Sequence, residues 1–208
     1  MKNQYDAIVI GSGISGGWSA KELCEQGMNT LVLERGRDVK HIKDYPTMAK
    51  DPWDFEYRGR MAKDYYQQNP LITKAAGFGD DTAHFFIKDA DHPYIQKRQF
   101  DWIRGYQVGG KSLIWGRACQ RWSDYEFKAP KKYGYGIEWP IDYKEIAPWY
   151  SHVEKFIGVC GNNDGIEAMP DGEFLPPYEL NCVEEHMRDV LKENFPGRHL
   201  VQGRWAHV

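Results

Sequence analysis

Three glycines near the start of the chain have the spacing of a diphosphate-binding turn, in the run Gly11-Ser12-Gly13-Ile14-Ser15-Gly16. In such a G-x-G-x-x-G run the first glycine permits a tight turn and the second lets a diphosphate approach bare backbone. The third lets the following helix pack closely on a strand. Free amides and the positive dipole end at the start of that helix attract phosphate. The run therefore predicts dinucleotide binding by Gly11, Ser12, Gly13, Ile14, Ser15 and Gly16. The alternative is a glycine-rich turn that holds no ligand.

A carboxylate follows at the distance that this fingerprint requires. Glu34 is placed to accept hydrogen bonds from ribose hydroxyls, as the acidic residue of the fingerprint does. FAD and NAD both carry such a ribose, so Glu34 does not separate the two cofactors. Arg35 and Arg37 also leave NADP open, because its 2′-phosphate favours a nearby arginine.

A second group of candidate residues lies between Gly105 and Gly116. The adjacent Gly109 and Gly110 let backbone come against a flat ligand or a phosphate, Ser112 can donate a hydrogen bond, and Trp115 offers an aromatic wall. On composition alone, a turn with a buried tryptophan is the favoured interpretation of this segment.

Two short apolar runs and the helical stretch between them must position the first group. Ala7–Ile10 and Thr30–Leu33 are typical of strands buried on both faces. Between them a helix is predicted through Gln26, and Gly27 ends it. Strand, helix and strand make a βαβ unit with parallel strands and a right-handed crossover. The predicted fold class is therefore α/β, with a Rossmann-like domain that is incomplete and the start of an α+β domain.

The rest of the chain is predicted from weaker patterns. Residues 37–74 are interpreted as a long surface excursion with one short helix, and residues 83–87 as a strand. Asp142 and Asn181 each begin a capping box, which predicts a helix after each of them. Pro148 either kinks the first of these helices or opens another, and residues 200–201 could begin a strand.

Composition excludes several function classes. The net charge of −3 over 208 residues argues against a protein that coats nucleic acid or an anionic membrane. The 41% apolar share is enough for a packed core. Cys24, Cys119, Cys160 and Cys182 form no C-x-x-C pair, so no metal site is expected and reduced thiols in a cytoplasmic protein are predicted. The sequence also predicts no secretory leader and no membrane-spanning helix.

The order of the motifs resembles the glucose–methanol–choline (GMC) oxidoreductase family, and within it the branch of sugar and gluconate dehydrogenases and pyranose oxidases. The matching stretches are Tyr5–Gly17, Leu33–Gly36, Val108–Gly110 with Trp115–Gly116, Glu138–Tyr143, and Pro148–Tyr150. The first two stretches also occur in other flavin folds, whereas the stretch from Val108 to Gly116 and the one from Glu138 to Tyr150 select this branch.

The resemblance implies an FAD enzyme that oxidises a CH–OH group of a sugar, polyol or sugar acid by hydride transfer to flavin N5. Electrons would then pass to oxygen, a quinone or a haem protein. Gly11, Gly13, Gly16 and Glu34 would hold the ADP half of FAD, while Gly109, Gly110 and Ser112 would lie along the cofactor. Residues 1–150 would be the FAD-binding region, and residues 151–208 the beginning of a substrate region.

Two departures from the family pattern modify this expectation. Ile114 stands where pyranose oxidases carry the histidine that tethers the flavin, so the FAD is predicted to be non-covalent. The family's catalytic pair lies near the C-terminal end of a longer chain, and His186, His199 and His207 are not candidates for it. The sequence is therefore interpreted as the N-terminal part of such an enzyme, inactive and poorly stable alone. An NAD(P)-dependent dehydrogenase and a non-catalytic nucleotide-binding fragment remain as alternatives.

Overall fold

Two four-residue strands and the helix between them begin the chain in the computed structural model, which describes residues 4–207. Strand β1 is Ala7–Ile10, helix α1 is Ile14–Glu25 and strand β2 is Thr30–Leu33. The strands are parallel, and Ala7 pairs with Thr30 while Ile10 pairs with Leu33. The predicted strand–helix–strand unit is confirmed, and the protein is a mixed α/β structure with a small parallel sheet.

The prediction that both strands are buried on both faces is wrong. Ile8 and Ile10 are 59% and 85% exposed, and Leu33 is 50% exposed. Helix α1 contacts both strands, and the alternate side chains of β1 point to opposite faces of the sheet. Burial on both faces needs a layer on each side, and the second face of this small sheet is open among residues 4–207.

The chain divides after Gly116 into two compact units. In the first unit, the long excursion contains the predicted short helix, α2, at Lys63–Gln68. Short 3₁₀ helices lie at Pro52–Asp54, Ile72–Lys74, Ala83–Phe85 and Gly110–Ile114. The apolar core of this unit includes Phe55, Ile72, Phe85 and Phe86.

The strand predicted at residues 83–87 is a 3₁₀ helix followed by extended backbone. Neighbouring side chains of a strand face opposite ways, yet Phe85 and Phe86 are both buried. Phe86 packs edge-on against Phe78, and Phe85 against Tyr45. A short apolar run does not by itself distinguish these conformations.

The second unit holds three helices and a small antiparallel sheet. The helices are α3, Asp124–Tyr133, α4, Tyr143–Phe156, and α5, Cys182–Asn194. Strands β3, Val159–Cys160, and β4, Trp205–Ala206, pair antiparallel. Residues 200–201 are not part of a strand.

The helix starts of the second unit follow the sequence closely. The predicted capping boxes are present at Asp142 and Asn181, and a third at Ser123 was not predicted. Pro148 lies inside α4, which runs through it, so no additional helix begins there. No helix within residues 4–207 has both the length and the apolar character needed to cross a bilayer.

Candidate functional site

The first glycine run has the geometry of a phosphate-binding turn. Gly11, at φ +89°, turns the chain out of β1. A Cβ atom at position 16 would lie 2.0 Å from the carbonyl oxygen of Gly11, so only glycine fits there. Gly13 is the N-cap of α1, and a Cβ atom at position 13 would meet no protein atom within 4 Å. The space beside Gly16 is therefore filled by protein atoms, whereas the space beside Gly13 is open.

The start of α1 is available to an anion. No side chain caps this helix, and its first turn contains no acidic residue. The first amides of an α-helix have no intrahelical acceptor, and they carry the positive end of the helix dipole. Ile14, Ser15 and Gly16 supply these amides in α1. An anionic group beside Gly13 would satisfy them.

The Glu34 carboxylate accepts three hydrogen bonds within the protein. Its Oε2 accepts from the hydroxyl and the amide of Ser12, at 2.6 and 2.8 Å, and its Oε1 accepts from the amide of Gly36 at 2.7 Å. The bond from the Ser12 hydroxyl is the main cause that lowers the pKa of Glu34, followed by these backbone amides. An ionised carboxylate offers about four acceptor positions. Oε1 accepts only one of these three hydrogen bonds, so a further donor such as a ribose hydroxyl could also bond to it.

The second group of candidate residues lies directly against the first. The amide of Gly109 donates to the Ser12 hydroxyl oxygen at 3.0 Å. A Cβ atom at position 110 would lie 3.2 Å from the Cα atom of Gly13. Both Gly109 and Gly110 have positive φ, and the Ser112 hydroxyl donates to the carbonyl of Gly109. The Ser12 hydroxyl therefore joins Glu34 to a segment 97 residues further along the chain.

The chain after β2 holds this second segment in place. The amide of Arg37 donates to the carbonyl of Tyr106, and the amide of Val108 donates to the carbonyl of Arg37. Gly36 is required here, because a Cβ atom at position 36 would lie 2.2 Å from the amide nitrogen of Gln107. Gln107 is 2% exposed and donates to the carbonyl of Gly110.

The two glycine segments border an open cavity of about 340 Å³. Its lining residues are Ile10, Gly11, Gly13, Ile14, Ser15, Gly16, Lys111 and Ser112. Ile10 and Lys111 were not predicted. The G-G-K-S sequence could have pointed to Lys111, since it places a cation between the glycine pair and Ser112.

Arg35 and Trp115 do not line this cavity. The Arg35 guanidinium lies over the ring of Tyr106, 3.8 Å from the ring centroid. Trp115 is 38% exposed, so the interpretation of this segment as a turn with a buried tryptophan is wrong. The 3₁₀ helix Gly110–Ile114 ends just before Trp115 and leaves its side chain partly in solvent.

The arrangement can bind an anion with backbone amides and one lysine, beside a carboxylate that accepts hydrogen bonds. The residues needed for a dinucleotide are present: a free helix start, an open Gly13 and an acceptor at Glu34. His186, His199 and His207 belong to the second unit and are exposed. Within residues 4–207 there is no cluster of His, Cys, Asp and Glu that could hold a metal ion.

Comparison with known proteins gives relatives along most of the chain, although no family model matches it. The chain is 27% identical over 183 residues to the fructose dehydrogenase large subunit of Gluconobacter japonicus, covering 86% of this chain and 31% of that protein. It is 27% identical to paromamine 6′-oxidase of Streptomyces fradiae, covering 97% of this chain and 33% of that protein. It is 30% identical to the gluconate 2-dehydrogenase flavoprotein of Pantoea cypripedii, covering 76% of this chain and 26% of that protein.

The chain thus spans about a third or less of the length of the curated relatives it matches. Their names describe dehydrogenases and oxidases, several of them acting on sugars or sugar acids. The chain therefore belongs to the glucose–methanol–choline oxidoreductase family, where it fits the sugar dehydrogenase-like branch.

Proposed function

We propose that this chain is the FAD-binding N-terminal part of an oxidoreductase that acts on CH–OH groups of a sugar, a polyol or a sugar acid. One observation carries the proposal. The Ser12 hydroxyl is hydrogen-bonded to both Glu34 and Gly109, beside an open, amide-lined cavity. The named relatives support the substrate class, since they include fructose and gluconate dehydrogenases.

In this proposal each part of the site has one task. The amides at Gly13–Gly16 bind the diphosphate, and the Oε1 atom of Glu34 accepts from the ribose of the ADP half. Gly109, Gly110, Ser112 and Trp115 lie along the cofactor, and Arg35 borders its adenosine end. Bound FAD supplies the hydride acceptor, flavin N5. The protein contributes binding and orientation, as proteins do for cofactors that carry the chemistry themselves.

The remaining parts of the enzyme are proposed from the family. Residues 1–150 form the FAD-binding region and residues 151–208 the beginning of the substrate region, with the catalytic pair outside residues 1–208. The partners are a sugar or polyol substrate and an acceptor that is oxygen, a quinone or a haem protein. The proposed location is the cytoplasm, where cysteine thiols stay reduced.

The main alternative is an NAD(P)-dependent dehydrogenase. The lowered pKa of Glu34, caused first by the Ser12 hydroxyl and then by backbone amides, keeps this carboxylate ionised at neutral pH. An ionised carboxylate repels a 2′-phosphate, and the Arg35 guanidinium is already stacked on Tyr106. These features disfavour NADP, whereas NAD and FAD carry the same unphosphorylated ribose.

The test is cofactor binding by the full chain. Purified protein is mixed separately with FAD, NAD and NADP, and binding is followed by calorimetry and, for FAD, by the visible flavin absorption. We expect FAD to bind and to be released into the supernatant by acid precipitation, because Ile114 cannot form the histidine tether. Binding of NAD but not FAD would favour the nicotinamide enzyme. Binding of neither would leave a non-catalytic fragment.

A further inference from the structure

Lys111 lies in a positively charged environment that would attract an anion. It is the one charged side chain that lines the cavity between the two glycine segments. It is exposed, and no described residue from 4 to 207 forms an ion pair with it. The opposite side of the cavity is the uncapped start of α1, which carries the positive end of the helix dipole. Two positive features therefore border the same cavity without an acidic side chain between them.

The backbone on both sides of Lys111 is fixed at this cavity. Gly109 is bonded to the Ser12 hydroxyl, and Gly110 packs against the Cα atom of Gly13. Ser112 follows and also lines the cavity. The position of residue 111 is thus set by contacts with the first glycine run, while its long side chain stays free to follow a ligand. A lysine on a fixed backbone, with three rotatable donors, is well suited to a phosphate.

We propose that Lys111 binds the diphosphate of the cofactor across the cavity from the first turn of α1, an inference that rests on the function proposed above. The bound diphosphate would carry negative charge between the lysine and the helix start and would remove the unfavourable pairing of two positive features. Ser12 acts as a positioning residue in this arrangement, because its hydroxyl holds the second segment at the cavity.

The test compares Lys111→Met and Lys111→Arg with the unchanged chain and with Lys97→Met. Lys97 is an exposed lysine of the same unit that does not line the cavity, so its variant controls for the loss of one surface charge. Dissociation constants are measured by calorimetry for FAD, ADP, riboflavin and inorganic phosphate, at low and at high salt. Thermal unfolding without ligand shows whether each variant is folded.

We expect Lys111→Met to weaken FAD and ADP about tenfold at low salt, since a charged hydrogen bond is lost. Salt of about 0.5 M should reduce this difference, because exposed charges are screened. Riboflavin, which lacks phosphate, should bind all four proteins equally, and Lys111→Arg should stay within about threefold of the unchanged chain. Equal ADP and FAD binding by the Lys111→Met and Lys97→Met proteins would overturn the inference while leaving the proposed function intact.

Two other outcomes distinguish a wrong assignment of the cavity to the cofactor from a failure of the proposed function. If inorganic phosphate binding depends on Lys111 and ADP binding does not, the cavity is a site for free anions and the assignment to the cofactor is wrong. If the unchanged chain binds neither FAD nor ADP, the proposed function fails and this inference fails with it.

Discussion

A side chain at Gly13 would meet no protein atom within 4 Å, whereas one at Gly16 would lie 2.0 Å from the carbonyl oxygen of Gly11. The two glycines of one motif are thus required by different neighbours. Gly16 is required by the protein itself, since α1 packs there against the turn. Gly13 is required only if a ligand occupies the space beside it.

This difference predicts opposite results for two alanine variants. Gly13→Ala should fold, with stability unchanged or raised by about 0.5–1 kcal/mol, because its backbone angles suit alanine. Its FAD affinity should fall at least about tenfold, since the added methyl group occupies the place of the diphosphate. Gly16→Ala should instead destabilise the protein by about 1–3 kcal/mol. Calorimetric FAD titration and thermal unfolding measure both, and undiminished FAD binding by Gly13→Ala would contradict the proposed site.

The Glu34 carboxylate predicts a pH dependence of stability. Its pKa in the folded protein lies below the ordinary value, chiefly because the Ser12 hydroxyl donates to the charged form. The stabilisation is therefore complete above the unfolded pKa of about 4.3 and is lost as pH falls through the folded pKa. It is about 1 kcal/mol at most, because the group is partly solvated.

Unfolding by urea from pH 7 to pH 3 checks this expectation. The unchanged chain should be more stable than Glu34→Gln at pH 7, and the difference should close at the acid end. Glu179→Gln removes an exposed carboxylate of the second unit and should show no such convergence. A difference between the unchanged chain and Glu34→Gln that is independent of pH would show that the Ser12 bonds do not stabilise the ionised form.

At the scale of elements, α4 is anchored in the second unit by a buried ion pair. Arg121 donates to both carboxylate oxygens of Glu154, at 2.8 and 2.5 Å, and both side chains are buried. Arg121 also donates to the Tyr143 and Ser151 hydroxyls of the same helix. The guanidinium thus contacts residues near the start, middle and end of α4.

Removing one partner of this pair should be costly. Arg121→Met leaves Glu154 buried without its partner, and a loss of about 3–5 kcal/mol in unfolding free energy is expected. Lys155→Met is the matched control on α4, because it breaks the exposed pair with Glu173 and should cost less than about 1 kcal/mol. Urea unfolding followed by tryptophan fluorescence measures both. Similar small losses would show that the pair does not anchor α4.

The helix starts show what local sequence determines at this scale. Each capping box lies within four consecutive residues, so Asp142 and Asn181 could be recognised without any knowledge of the fold. The conformation of residues 83–87 depended instead on Tyr45 and Phe78, which pack on Phe85 and Phe86 respectively. An apolar run of five residues contains no information about such distant neighbours.

At the scale of the whole molecule, one face of the β1–β2 sheet in the first unit exposes apolar side chains. Ile8 and Leu33 are 59% and 50% exposed, in strands whose other face carries α1. Exposed apolar patches of this kind promote association. We therefore expect association of the isolated chain to occur through this face.

We predict that Ile8→Lys lowers self-association of the isolated chain without lowering its unfolding free energy by more than about 0.5 kcal/mol. Ile95→Lys is the control, since Ile95 is 96% exposed but lies outside the sheet. Light scattering against concentration and binding of a hydrophobic dye measure the effect. Equal improvement by both variants would mean that added charge, rather than the sheet face, controls association.

The sequence alone determined the strand–helix–strand unit, the glycine turn and the capped helices, because these depend on steric and hydrogen-bonding preferences of neighbouring residues. Tertiary structure alone decided that Gly110 packs on Gly13, that Lys111 lines the cavity and that Trp115 stays partly exposed. It also decided that one face of the parallel sheet is open. Those features depend on which distant segments meet, and a contact across 97 residues leaves no periodic pattern along the chain.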